Sequence, residues 1–399
     1  EVLLNLYENS SRLFQLADRI TMSQPQHLLL KNLHGSAPAF VMAGIFNLKT
    51  TSQLNHLVIC EDAETAAYLH NSIENLTKGL DIFYFPSSFK NSKSYQQLNS
   101  SHVMLRTEAL TRWSGGGNKK MLVTYPEALF EKVVLPETLA GNMIRLKSGE
   151  TINPEGLMES LVGYGFERTD FVYEPGQFAL RGGILDIYPP EMDDPLRIEF
   201  LGDEIESMRK FDPETQRSSA PIDEAVLLPL TETPMTNALL ARVQTRLSGQ
   251  RLDGESDAVQ DAIEAEGTNV FPGWEFFAPV AGATHTLLEL LSAHGPAPRV
   301  FIEEPAMVKN QGERWWNKVE QRHERSGIGN LVRAEDIYLS PWDLDDRLRG
   351  FCGCELDQLG AVDVLDADRS DLSEVDFATR PTQRFHGSIP ALIDQLNVL

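Results

Sequence analysis

The sequence predicts an α/β fold: a parallel sheet with flanking helices, built in two halves around an inserted mixed α+β domain. Three observations lead there. Short apolar runs alternate with helix-like stretches over residues 1–140. Closely spaced strands separated by Gly, Pro and Asp turns fill residues 141–231. Helix-like segments and a further strand return over residues 232–399. Strands alternating with helices imply right-handed crossovers and parallel pairing, whereas strands joined by tight turns imply antiparallel pairing. A chain of 399 residues is long enough for two or three cores.

In order along the chain, Leu3, Leu4, Leu6, Tyr7, Leu13, Leu16 and Ile20 lie at helical spacing and predict one amphipathic helix. The runs 57–60 (LVIC), 82–85 (IFYF) and 121–124 (MLVT) read as strands, and Ala63 to Leu76 and Pro126 to Val134 as helices. In the middle segment a helix over Pro154 to Tyr164 precedes a hairpin. Its arms are Gly183 to Tyr188 and Leu196 to Leu201, and a third strand, Glu204 to Phe211, follows the Gly202-Asp203 turn. Thr236 to Leu247 and Ser256 to Glu266 read as helices, Arg299 to Glu303 as a strand, and Ile389 to Leu399 as an amphipathic helix that stops without a cap. Residues 341–376 carry eleven acidic side chains against three basic ones, the composition of a solvated surface or loop. No repeat of solenoid length is visible.

Composition narrows the function classes. A formal net charge of −23 argues against a surface built to neutralise phosphates, so a tight grip on nucleic acid is not expected. Cys60, Cys352 and Cys354 are an odd set without the second ligand pair of a zinc site, so no metal is expected and a reducing, cytoplasmic compartment fits best. There is no run of eighteen apolar residues and no leader-like opening, so neither a membrane nor export is expected. The first residue is Glu1 rather than Met, and together with the uncapped last helix this suggests a piece of a longer protein.

The strand Arg197-Ile198-Glu199-Phe200-Leu201 carries a docking pattern. Its side chains alternate, so Arg197, Glu199 and Leu201 share one face and Ile198 and Phe200 the other. Ile198 and Phe200 make the better core pair, which leaves an arginine, a glutamate and an apolar residue side by side on the outer surface. An arginine can reach a partner carboxylate with both prongs, and a leucine beside it can add desolvated area. The plainer reading of such arginines is solvated sheet charge.

Residues 175–218, PGQFALRGGILDIYPPEMDDPLRIEFLGDEIESMRKFDPETQRS, closely resemble the UvrA-binding domain shared by UvrB and the bacterial transcription-repair coupling factors (the Mfd family). The coupling factors are also resembled at LHGSAPAF (33–40), LVTYPEALFEKVVLP (122–136) and RFHGSIPALIDQL (384–396), so the resemblance runs through essentially the whole chain. It implies an N-terminal, UvrB-like region: a degenerate RecA-like domain in two halves, 1–140 and 232–399, with the UvrA-binding domain, 141–231, inserted between them. It also implies that Arg181 and Arg197 contact UvrA, with Glu199 beside them. Leu201 falls where a phenylalanine can supply the apolar contact, and a leucine buries less area than that ring. Gly182-Gly183 and Gly202-Asp203 are expected to serve only the backbone, at a close approach and a turn.

A UvrB-type motor carries a phosphate loop ending in Gly-Lys-Ser/Thr, whose backbone N–H groups and lysine hold the phosphates. Here Leu33-His34-Gly35-Ser36-Ala37-Pro38 stands in its place. The lysine is gone from the degenerate loop Gly35, Ser36, Ala37, and Pro38 removes a donor. Val300-Phe301-Ile302-Glu303-Glu304-Pro305 has the strand and acidic pair of a second motor element, but Glu where the magnesium-binding Asp would sit; it reads equally as an ordinary strand end. UvrB also inserts a long aromatic hairpin into damaged DNA, and Tyr84 to Arg106 is too short for one. Tyr84 and Phe85 there read better as core strand residues, and Phe89 and Tyr95 as loop cover, than as base-stacking platforms.

The sequence therefore predicts a non-catalytic adaptor, with no catalytic residue, metal or cofactor of its own, that recruits UvrA. The resemblance further implies that RNA polymerase and DNA are engaged by downstream domains of a longer protein. It also implies that contacts with a C-terminal part mask the UvrA-facing surface at rest. The rivals are a UvrB-like, ATP-dependent enzyme that binds damaged DNA, and an internal clamp on a downstream translocase.

Overall fold

The computed structural model describes residues 2–22, 27–77, 81–88, 100–134, 143–190, 192–233, 237–248, 278–282, 284–325, 332–356, 373–381 and 393. Its seventeen strands fall into a seven-stranded sheet, a six-stranded sheet and two pairs, and each larger sheet has its own core.

The seven-stranded sheet is parallel throughout, in the order β17-β1-β16-β15-β2-β4-β3. β1 (His27–Lys31), β2 (His56–Ile59), β3 (Ile82–Tyr84) and β4 (Met121–Thr124) come from the first part of the chain. β15 (Arg299–Glu303), β16 (Gly353–Leu356) and β17 (Ser373–Asp376) come from the last. The two sets interleave, so the sheet closes only when segments more than two hundred residues apart meet. Arg12 helps to close it, donating from Nη1 to the Phe377 carbonyl at 2.7 Å.

The opening segment is two helices rather than the single one its spacing predicts: α1 (Val2–Glu8) and α2 (Ser11–Ile20). The break falls at Ser10, whose hydroxyl accepts the Arg12 N–H at 3.3 Å, the N-cap geometry serine favours. α3 (Ala37–Asn47) is apolar nearly all round and buried from Ala37 to Ala39 and from Val41 to Phe46. Leu13 of α2 packs on Gly44, where a Cβ would lie 2.8 Å from Leu13 Cδ2. α4 (Ala63–Thr77) and α5 (Ser100–Ser114) flank the sheet. The helix expected over Pro126 to Val134 stops at Phe130 as α6 (Pro126–Phe130), and β5 (Val133–Val134) then pairs with β14 (Thr284–His285).

The expectation of a solvated 341–376 segment is corrected. Helix Pro341–Leu348 turns Leu344 and Leu348 into the core, and β16 lies between β1 and β15 with all four residues buried. A charge count averaged over thirty-six residues conceals a four-residue strand, and Glu355 is buried within it. Residues 357–372 lie outside the described residues, as do the helix expected at 256–266, Phe89 and Tyr95, and nearly all of the 389–399 segment. Tyr84 at the end of β3 is half-buried and Phe85 just after it is buried, the core placement expected of them.

The six-stranded sheet has the order β12-β11-β10-β9-β8-β7. Its strands are β7 (Glu167–Arg168), β8 (Gln177–Arg181), β9 (Ile184–Ile187), β10 (Leu196–Leu201), β11 (Glu204–Phe211) and β12 (Ser218–Pro221). All pairings are antiparallel except β7 with β8. Beside it, β6 (Ile144–Lys147) pairs with β13 (Glu224–Leu227), and α7 (Pro154–Gly163), capped by Asn153, covers one face. Where this unit rejoins the rest of the chain, buried Arg106 of α5 ion-pairs with both Glu131 and Glu232 and lies 4.2 Å from the Phe85 ring centroid. Burial pushes the Glu131 carboxyl up despite Arg106 and the donors of Ser87 and Ser88. Breaking a buried pair of this kind leaves an uncompensated charge, so the junction is rigid.

One strand residue sets a pH dependence. His56 is fully buried between Phe46 and Phe301, and neither ring nitrogen has a hydrogen-bond partner among the described residues. Burial, with Arg299 adding repulsion, lowers its pKa to about 3. The unfolded chain, titrating near 6.5, binds the proton that the folded chain refuses. The His56 contribution to stability is therefore complete above pH 6.5 and is lost as pH falls from there towards 3, at about 1.4 kcal/mol per unit. Denaturant unfolding is expected to show His56→Leu about 2 kcal/mol more favourable at pH 5 than at pH 8, relative to the unaltered chain. Equal effects at both pH values would contradict this account.

Candidate docking face

The six-stranded sheet has a dry side and a wet side. On the dry side Phe178, Leu185, Ile187, Leu196, Ile198, Ile205 and Met208 pack with Leu146, Leu157 and Leu161. Ile198 is fully buried and Phe200 half-buried against this core, as the alternation on β10 requires. The β8–β9 turn is Gly182-Gly183, with Gly182 at φ +62° and a Cβ on Gly183 only 3.0 Å from the Phe200 carbonyl oxygen. Gly202, at φ +65°, opens the β10–β11 turn.

The wet side carries Arg181, Arg197, Glu199 and Leu201, but not as free charges beside a leucine. Asp186 of β9 lies directly opposite Arg197 in the register and is fully buried. Arg197 grips it with both prongs, Nε to Oδ1 at 2.7 Å and Nη2 to Oδ2 at 2.9 Å, and Arg181 donates to the same Oδ2 from Nη2. The two arginines expected to reach a partner are thus braced on one carboxylate of their own chain. This corrects the reading of an outward-reaching Arg197, whose side chain is only 13 % exposed against 34 % for Arg181. Arg197 Nη1 also donates to the Gln216 carbonyl at 3.0 Å, and its guanidinium lies 4.5 Å from the Phe211 ring centroid. Hydrogen bonding to Asp186, opposed by burial, raises the Arg197 pKa. Glu199 accepts the Ser207 hydroxyl at 2.7 Å, and Leu201, 69 % exposed, projects at the end of the strand.

Sequence reasoning missed two residues here. Asp186 was visible as a lone acid inside the apolar run Ile184-Leu185-Asp186-Ile187, where an unpaired charge would be costly. Phe171 is the other: it is 48 % exposed, and the Arg181 guanidinium stands 4.4 Å from its ring centroid. Nothing in the spacing of a loop residue signals such a contact.

The second candidate, the degenerate phosphate loop, lies at the C-terminal edge of the parallel sheet, where open α/β sheets bind ligands. Gly35 (φ +60°) and Ser36 are exposed, and Ala37 is buried at the start of α3. Ser36 caps the helix without a side-chain hydrogen bond. The His34 N–H, a donor a phosphate would use, is given to the Thr379 hydroxyl at 2.9 Å. Further along the same edge, the ends of β2 and β15 are acidic. Burial, with Glu61, Glu304 and Asp62 adding repulsion and the Cys60 thiol partly offsetting it by hydrogen bonding, pushes the Glu303 carboxyl up to about 7. Among the described residues no group of His, Cys, Asp and Glu is placed to hold a metal, and no helix is long and apolar enough to cross a membrane.

Residues 144–232, which hold both arginines and the whole six-stranded sheet, match the family model of the UvrB interaction domain. Beyond that segment the chain is similar to the transcription-repair-coupling factors of several bacteria. It is 27% identical over 262 residues to the transcription-repair-coupling factor of Myxococcus xanthus, covering 63% of this chain and 22% of that protein. To that of Haemophilus influenzae it is 26% identical over 343 residues, covering 82% and 28%, and to that of Escherichia coli 28% identical over 217 residues, covering 53% and 18%. The chain thus spans less than a third of these relatives' length.

In this UvrB interaction domain, removing Asp186 leaves two partly buried guanidinium groups uncompensated. Asp186→Ala is expected to destabilise the domain by about 3 kcal/mol or more. A double-mutant cycle with Arg197→Ala, read by denaturant unfolding, is expected to give a coupling on the order of 1–3 kcal/mol. Additive single effects would show that the pair does not act as a unit.

Proposed function

We propose that the chain is a non-catalytic adaptor that recruits UvrA through the wet face of its UvrB interaction domain, with Arg181, Arg197, Glu199 and Leu201 in the interface. The observation that carries this reading is the shared brace: two arginines fixed in place before a partner arrives. A side chain already held in its bound geometry loses little conformational freedom on binding, so more of its contact energy appears as affinity. The held arginines offer a partner's carboxylates their positive charge and the N–H donors not already given to Asp186, Gln216 and Asp170.

The division of labour follows the two sheets. Residues 1–140 and 232–399 serve as a platform derived from a motor, and residues 141–231 as the docking unit. The platform is proposed to use no nucleotide: its loop lacks the lysine and spends the His34 donor on Thr379, and the ends of β2 and β15 on the same edge of the sheet carry Glu61, Asp62, Glu303 and Glu304, an unfavourable field for a triphosphate. Contacts with RNA polymerase and DNA, and the masking of the docking face at rest, belong on this account to the remainder of a longer protein.

The test is calorimetric titration of purified UvrA into the chain. Micromolar or tighter binding is expected, with Arg181→Ala and Arg197→Ala together weakening it at least about thirtyfold. ATP hydrolysis at the buffer rate, with or without damaged DNA, is expected in parallel. UvrA binding unchanged by the double substitution, or ATP turnover that DNA stimulates, would overturn the reading.

A further inference from the structure

Resting on the docking reading above, we propose that Phe171, not Leu201, is the principal apolar anchor of the UvrA interface, with Tyr173 at its side. The loop between β7 and β8 carries three consecutive residues in alternating orientation. Val172 is fully buried, and Phe171 and Tyr173 on either side are 48 % and 55 % exposed with ring centroids 6.5 Å apart. Val172 is the root. It packs on Ala179 and Phe211, residues of the wet face, so the loop lies over the same side of the sheet as Arg197.

The loop is held on all sides. The Thr169 hydroxyl donates to the Phe171 carbonyl at 2.9 Å, and the Thr169 N–H to the Phe178 carbonyl at 2.9 Å. Gln177 Oε1 accepts the N–H groups of Tyr173 and Glu174 at 2.9 and 3.1 Å, and Gln216 Nε2 donates to the Val172 carbonyl at 3.0 Å. Arg181 covers one side of the Phe171 ring and donates from Nη1 to the Asp170 carbonyl at 3.3 Å. Arg181, Phe171, Val172, Gln216, Arg197 and Asp186 therefore form a closed circuit of contacts, and the exposed ring is part of it.

Energetics favours this ring over Leu201. An aromatic side chain offers more area than a leucine, and its two torsions are already fixed here by the arginine. An exposed aromatic beside an arginine is the composition in which interface energy concentrates. Leu201 sits next to the Gly202 turn and is 69 % exposed, more than Phe171. Position 201 offers a leucine to the face, and the neighbouring loop supplies a ring to it.

The proposal is tested by titrating UvrA into the intact chain and into Phe171→Ala, Leu201→Ala and Phe171→Trp variants, each checked for an unchanged thermal transition. Phe171→Ala is expected to weaken binding at least about tenfold, Leu201→Ala by less, and Phe171→Trp to bind within about threefold of the unaltered chain. A Leu201→Ala loss equal to or larger than that of Phe171→Ala overturns the proposal while leaving the docking reading intact. Absence of UvrA binding by the unaltered chain overturns both.

Discussion

A carboxylate with no exposure to water, placed on the wet side of a sheet, must be neutralised within its own chain, and Asp186 imposes that condition on the whole docking face. Its position opposite Arg197 on β10 and beside Arg181 on β8 ties three strands together through side chains as well as backbone. Each arginine then lies against a ring, Phe171 or Phe211, so the apolar and charged parts of the face are fixed by the same contacts. The face is pre-arranged because the buried charge leaves it no alternative.

The edge of the parallel sheet after β1 is proposed to hold no nucleotide. α3 enters there directly after β1, but the His34 N–H is given to Thr379 and the ends of β2 and β15 carry carboxylates. Burial is the main cause that pushes the Glu303 carboxyl there up to about 7. On the proposed reading the platform serves as a scaffold, and the ion pairs of Arg106 with Glu131 and Glu232 tie it to the end of the docking unit. A rigid mount spares a docking face the entropic cost of being positioned when the partner binds.

Much of this was legible in the sequence. Strands that are uniformly apolar and flanked by amphipathic helices, such as 57–60 and 121–124, show a strong periodic contrast and lie where they were read. The hairpin at 184–201 was marked by the Pro and Asp residues between its arms. β1 and β16 were hidden, the first as a short HLLLK run beside a loop that drew attention for its missing lysine, the second inside an acid-rich count. The arginines were visible as residues, but their state was not. Whether a guanidinium points to a partner or to its own sheet depends on cross-strand register, and a bulge between Glu199 and Phe200 or a loop folded over the face is set by tertiary contact rather than local pattern.

The account stands on the wet face of the six-stranded sheet being the surface that meets UvrA. Hydrogen exchange of the intact chain with and without UvrA, followed peptide by peptide, tests that most directly. Slowed exchange confined to residues 169–174, 181–186 and 197–203 is the predicted result. Slowed exchange at 33–40, 59–62 and 302–305, with the six-stranded sheet unchanged, would place the partner on the degenerate ligand edge and contradict it.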